Sequence, residues 1–105
     1  MGKKKEHNPY RQLKKQYPDY LVAVQALGTA VRHAGPLDDA MVQLIQLGAA
    51  AAIRSEGAVH SHARRALEAG ATPEQIRHAL IALTSTIGFP TVVAAISWVE
   101  DVLEQ

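Results

Sequence analysis

The sequence predicts an all-α fold of five or six helices, and three observations carry that expectation. Apolar residues recur at spacings of three and four through most of the 105-residue chain, and no stretch alternates at the two-residue period of a half-buried strand. Proline and glycine fall between these periodic stretches, at Pro9, Pro18, Gly35-Pro36, Gly70, Pro73 and Gly88-Phe89-Pro90. Alanine, the strongest helix former, supplies 18 residues, whereas only five are aromatic.

Asn8-Pro9 is a helix start with Pro9 at the first helical position, and Tyr17-Pro18 stops that helix near Gln16. From Asp19 a second helix places Val22, Ala23, Ala26, Leu27, Ala30 and Val31 on one face, until Gly35-Pro36 ends it. Asp38 is a good N-cap for the third helix, with Leu37 positioned to staple against Val42. Met41 to Ile53 is apolar nearly all round, interrupted chiefly by Gln43 and Gln46, so this helix is expected to be covered on most sides, within the subunit or between subunits. A Gln43 buried there needs a hydrogen-bond partner. After a break at 54–57, which Ser55 can cap and shorten, the fourth helix aligns Val59, Ala63, Ala66 and Leu67 until Gly70. Thr72-Pro73-Glu74-Gln75 restarts the chain with a capping box, and Ile76, Leu80 and Leu83 carry the fifth helix toward the break at Gly88. The last helix, about Thr91 to Leu103, turns Val92, Ala95, Ile96, Val99 and Leu103 inward, with Trp98 near the edge of the stripe.

The organisation expected is a basic arm over residues 1–8 followed by a single domain over 9–105. Residues 1–15 carry six of the eleven Lys and Arg against Glu6 alone, while the remainder carries nine acids against five arginines. A three-lysine run at a chain end is ordinarily solvated, so nucleic acid is not expected as a partner. No run approaches the ~20 apolar residues of a spanning helix, and no apolar segment follows the first lysines as in a signal peptide. Neither a membrane nor an exported location is expected, and the cytoplasm is. The absence of cysteine removes disulfides, thiolate nucleophiles and zinc-thiolate sites. A short, alanine-rich chain buries little area per residue, so its helix faces are expected to be completed by further copies.

Of five histidines, His7, His33 and His78 have surface-like settings. His60 and His62 lie about 200° apart around a helix, on opposite edges of its apolar stripe. Two ligands for one metal would stand at i and i+4, so no metal site is expected from this pair. His62, at a half-buried boundary, is the candidate proton carrier. Glu56 stands four residues before His60 and can pair with it. Arg64 and Arg65 are candidate carboxylate clamps, and Ser55 lacks the setting of a serine nucleophile.

The stretch from Leu37-Asp38 through His62 to Gly70, followed by Gly88-Phe89-Pro90, resembles the carboxymuconolactone decarboxylase family, which includes the alkylhydroperoxidase D-like proteins. The resemblance spans about residues 18–104 and implies an alkylhydroperoxidase D-like helical fold assembled as trimers or hexamers. The peroxidase branch has the pattern E-x11-C-x-x-C-x-x-x-H. Aligned on His62, its cysteines fall on Ser55 and Ala58 and its glutamate on Gln43, so the thiol chemistry of that branch cannot operate. The decarboxylase branch lacks the cysteine pair and has an H-x-R context similar to His62-Ala63-Arg64. That resemblance implies a cofactor-free decarboxylation or proton transfer on a small carboxylated lactone. His62 would move the proton, with His60 or Glu56 assisting, and Arg64, Gln43 and Ser55 would contact substrate. The alternative is a non-catalytic binding or accessory oligomer of the same fold.

Overall fold

A computed structural model describes residues 9–104, so the basic arm and His7 lie outside the described residues. The described residues form six helices of eight residues or more and one four-residue helix, with no strand. Contacts divide the chain at Pro36–Leu37 into two compact units.

The first unit holds α1 (Pro9–Gln16) and α2 (Pro18–Arg32). Pro18 ends α1 as expected and itself opens α2. The Gln25 side-chain amide donates to the Tyr10 hydroxyl at 2.8 Å, tying the two helices together. The apolar residues of α2 are not covered within the described chain: Val22, Leu27 and Val31 lie exposed, and Leu21 is the buried residue of α2.

The second unit holds α3 (Asp39–Ala52), α4 (Glu56–Glu68), α5 (Pro73–Ile81), α6 (Thr84–Ile87) and α7 (Phe89–Leu103). The starts of α3, α4 and α5 are the ones the sequence encodes. Asp38 accepts from the Met41 backbone at 2.8 Å, and Ser55 accepts from the Ala58 backbone at 3.4 Å. Thr72 and Gln75 form the reciprocal capping box. Both ends around α4 are Schellman turns: Ser55 N–H reaches Ala50 O, and Ala71 N–H reaches Ala66 O. The left-handed position of the second turn is Gly70, whereas the first places Arg54 at φ 57°, with its guanidinium donating to Thr91 Oγ1 at 2.9 Å.

Two expectations need correction. The helix expected to run from Pro73 to Gly88 stops at Ile81, because the Thr84 hydroxyl takes the Ile81 carbonyl at 2.7 Å and the chain tightens through Leu83 N–H to Leu80 O. α7 starts at Phe89 rather than about Thr91, with Pro90 in its first turn where a missing N–H costs nothing. Near its end Leu103 packs half-buried against the core beside the buried Val102.

The core is built by α4 lying against α3 and α7. Leu47, Val59, Ile76, Leu80 and Val99 are fully buried there. Half of the twelve core residues are alanines: Ala50, Ala51, Ala63, Ala66, Ala71 and Ala95. Small side chains at these contacts let the helix backbones approach, and they leave little room for a larger residue. Arg77 on α5 grips Glu100 on α7 through two hydrogen bonds, at 2.7 and 3.0 Å, and those bonds hold the Glu100 carboxyl below its ordinary range.

Truncating this core should be costly, and removing a cap less so. Leu80→Ala is expected to cost roughly 2–5 kcal/mol and Thr72→Ala about 1 kcal/mol. Urea midpoints of the two variants would reverse in order if the core were not centred at Leu80.

Candidate functional site

The residues singled out in the sequence separate into two polar pairs on opposite edges of α4. On one edge, His62 Nδ1–H donates to Gln43 Oε1 of α3 at 2.9 Å. On the other, His60 Nε2 lies 3.1 Å from Asp101 Oδ2 of α7 and 4.0 Å from Glu56 Oε2 of its own helix. The roughly 200° between His60 and His62 is therefore realised as contacts with two different helices.

Gln43 is 97 % buried, 3 % of its surface remaining exposed. His62 satisfies its carbonyl oxygen, and no further hydrogen bond of the Gln43 amide is found among the described residues. A buried side-chain NH2 without an acceptor costs free energy. Because the amide oxygen only accepts, Nδ1 of His62 carries the hydrogen and Nε2 of the neutral ring keeps a lone pair. Burial, and after it the charge of Arg65, pushes the His62 pKa below 6.5. The resting imidazole is accordingly neutral at pH 7.

Around α4, Ser55, Ala58 and Arg65 lie within about 60° of His62, whereas Arg64 lies about 200° away and is exposed. The cation that His62 feels is thus Arg65, not Arg64. Ser55 is occupied as the N-cap of α4, with its hydroxyl hydrogen still available to donate. The structure brings Gln43 and His62 together and also Glu56 and His60, but it does not bring these two pairs to one place. Asp101 was not singled out from the sequence. It is 41 residues from His60, so no local spacing points to it.

Compared with known proteins, residues 18–101 match the family model described as the carboxymuconolactone decarboxylase family. The chain belongs to that family. A solved carboxymuconolactone decarboxylase family protein from Legionella pneumophila, in its apo form, superposes with a TM-score of 0.78 at 23% identity, covering 90% of this chain and 85% of that one. No curated protein matches the sequence. The similarity establishes the helical fold of the family for this chain. Set against the family pattern, the Glu position is the buried Gln43, and the two Cys positions are the cap Ser55 and the half-buried Ala58, one turn from His62. No helix among the described residues is long and apolar enough to cross a membrane.

The lowered pKa of His62 has a definite sign for stability. The unfolded imidazole takes up its proton first, so the fold loses stability as pH falls through about 6.5 toward the folded-state value, and regains it as pH rises. An NMR titration of the His62 ring should give a midpoint below 6.5. Gln43→Glu should move that midpoint upward, since a carboxylate on Nδ1 stabilises the imidazolium. An unchanged midpoint in that variant would show that Gln43 does not contact the ring in solution.

Proposed function

We propose that this protein is a cofactor-free enzyme that transfers a proton at a carbon activated by a lactone carbonyl, with decarboxylation of a carboxylated lactone as its reaction. The observation that supports this most is the pairing of half-buried His62 with buried Gln43, which offers a proton-carrying imidazole nitrogen and an amide donor left without an acceptor.

In this reading the bond from carbon to carboxylate breaks and CO2 leaves. The electron pair passes into the system conjugated with the lactone carbonyl. The Gln43 amide N–H donates to the oxygen where that charge collects. His62 Nε2, having taken a proton from solvent, delivers it to the carbon, so that one proton is consumed for each CO2 released. Arg65 attracts the anionic substrate from the same side of α4, and Ser55 offers a hydroxyl on that face. Arg64 stands on a different side of the helix, which makes Arg65 the better candidate for the clamp first assigned to Arg64. Glu56 and His60 face α7 and take no part in the transfer.

The test is direct. Purified protein supplied with a carboxymuconolactone should release CO2, and His62→Ala should lower turnover by about 10²-fold or more while the helical circular dichroism is retained. Full turnover in His62→Ala would sink the proposal.

The same reading includes self-association, as trimers or hexamers in the cytoplasm. α3 and its C-cap leave Met41, Ile45 and Ile53 exposed, and α2 leaves Val22, Leu27 and Val31 exposed. Apolar faces of this kind are costly in water when unpartnered. Sedimentation at micromolar concentration should give a trimer or hexamer mass, and Ile45→Asp should shift it to smaller species. A stable monomer at that concentration would count against the assembly.

A further inference from the structure

The second polar group on α4 is not used by the reaction above, and its composition is unusual for a solvated surface. Glu56, His60 and Asp101 each point one ligating atom into the same space, all within 4.8 Å of one another. His60 is the anchor: its side chain is 23% exposed, whereas the two carboxylates are 56% and 61% exposed. Its Nε2 faces both of them.

Two carboxylates this close repel each other; Glu56, in the first turn of α4, meets the positive end of that helix's dipole, whereas Asp101 has no such compensation. Among the described residues neither Glu56 nor Asp101 pairs with a lysine or arginine. Asp101 also lies in the last turn of α7, which carries no basic residue and where Glu100 and Glu104 stand on either side of it. A carboxylate at a helix C-terminus meets the negative end of the helix dipole. Glu100 is compensated by Arg77, but Asp101 has only the imidazole. Asp101 is therefore the carboxylate of the group that an added positive charge would relieve most.

The geometry suits a divalent ion. Ligand atoms about 2.0–2.1 Å from a metal stand about 3 Å apart when they are adjacent, the separation already present between His60 and Asp101 at 3.1 Å. Glu56, at 4.0 Å from the imidazole and 56% exposed, would close the set by a side-chain rotation. The nitrogen in the set favours borderline first-row ions over calcium or magnesium, which take oxygen alone.

We propose that Glu56, His60 and Asp101 form a surface site for a borderline first-row divalent cation such as Zn2+, with water completing the coordination. The ion bridges the start of α4 to the end of α7 and replaces the hydrogen that His60 now shares with Asp101. The site is independent of the decarboxylase reading and stands or falls without it.

Calorimetric titration of the full chain with zinc chloride tests the proposal, with Co2+ visible absorption as a second readout. One equivalent per chain is expected, with His60→Ala and Asp101→Asn each weakening binding by at least about tenfold and Glu56→Gln weakening it less. His78→Ala, on α5, is expected to leave the titration unchanged. Circular dichroism of each variant checks that it is folded, and Asp101→Asn preserves side-chain shape if His60→Ala does not fold. No binding at about 1 mM zinc, equal affinity in Asp101→Asn and the unaltered chain, or loss of binding in His78→Ala would each overturn the site.

Discussion

The close approach of α4 to α3 and α7 is the constraint on which the second unit depends. It is made possible by residues that contribute almost no side chain. Ala63 and Ala66 of α4 are fully buried, as are Ala51 of α3 and Ala95 of α7. Small residues at the contact let helix axes come close, so that polar groups at the two edges of the seam are within hydrogen-bond reach across it. A leucine at Ala63 would fill the core better in isolation, yet it would push α4 outward and part both Gln43 from His62 and Asp101 from His60. The alanine content therefore has two consequences. It weakens the core per residue, and it fixes the distance at which the polar chemistry sits.

That seam also explains why one helix carries two unrelated polar pairs. The edges of α4 are separated by its apolar stripe, Val59, Ala63 and Ala66, which lies in the core. His62 looks to α3, where the neighbouring group is a buried neutral amide. His60 looks to α7, where the neighbours are exposed carboxylates. The same side chain two residues apart thus meets a desolvating environment on one side and an anionic, hydrated one on the other. Burial disfavours the charged ring at His62, whereas His60 keeps a hydrogen bond with the Asp101 carboxylate.

What could be read in the sequence follows the range of the interactions involved. Caps and breaks are local, and Asp38, Ser55, Thr72-Gln75 and Gly70 were all legible because each is satisfied within four or five residues. The need of Gln43 for a partner was legible too, from its place in an apolar helix, but not the identity of that partner. The Gln43–His62 bond depends on how two helices pack, and the family pattern supplied the alignment that spacing did not. Asp101 escaped notice for the same reason: a lone acid near the end of an amphipathic helix has no local peculiarity. The break at Ala82–Leu83 was missed because the apolar period continues through it, whereas the Thr84 hydroxyl that diverts the backbone leaves no mark on that period. The exposed stripe on α2 was read correctly as a stripe. Periodicity shows that residues share a face; it does not say what covers that face.

The exchange of an acid for Gln43 is the change with the widest chemical consequence. In the thiol branch of the family, the pattern places a carboxylate where Gln43 stands and thiols at Ser55 and Ala58. A carboxylate beside His62 would favour the imidazolium, a form suited to stabilising thiolates. This chain has neither thiols nor that acid, and the two losses are consistent with each other. Gln43 still orients the ring through its oxygen, but it adds no negative charge, so burial is left to set the direction of the pKa. The histidine that remains is neutral at rest, held in one tautomer, and has Nε2 free to receive a proton. Such a ring is poorly suited to preserving a thiolate, and its Nε2 is the atom that the proposed proton transfer uses. The same position that in the thiol branch would tune sulfur chemistry here tunes the basicity of a nitrogen.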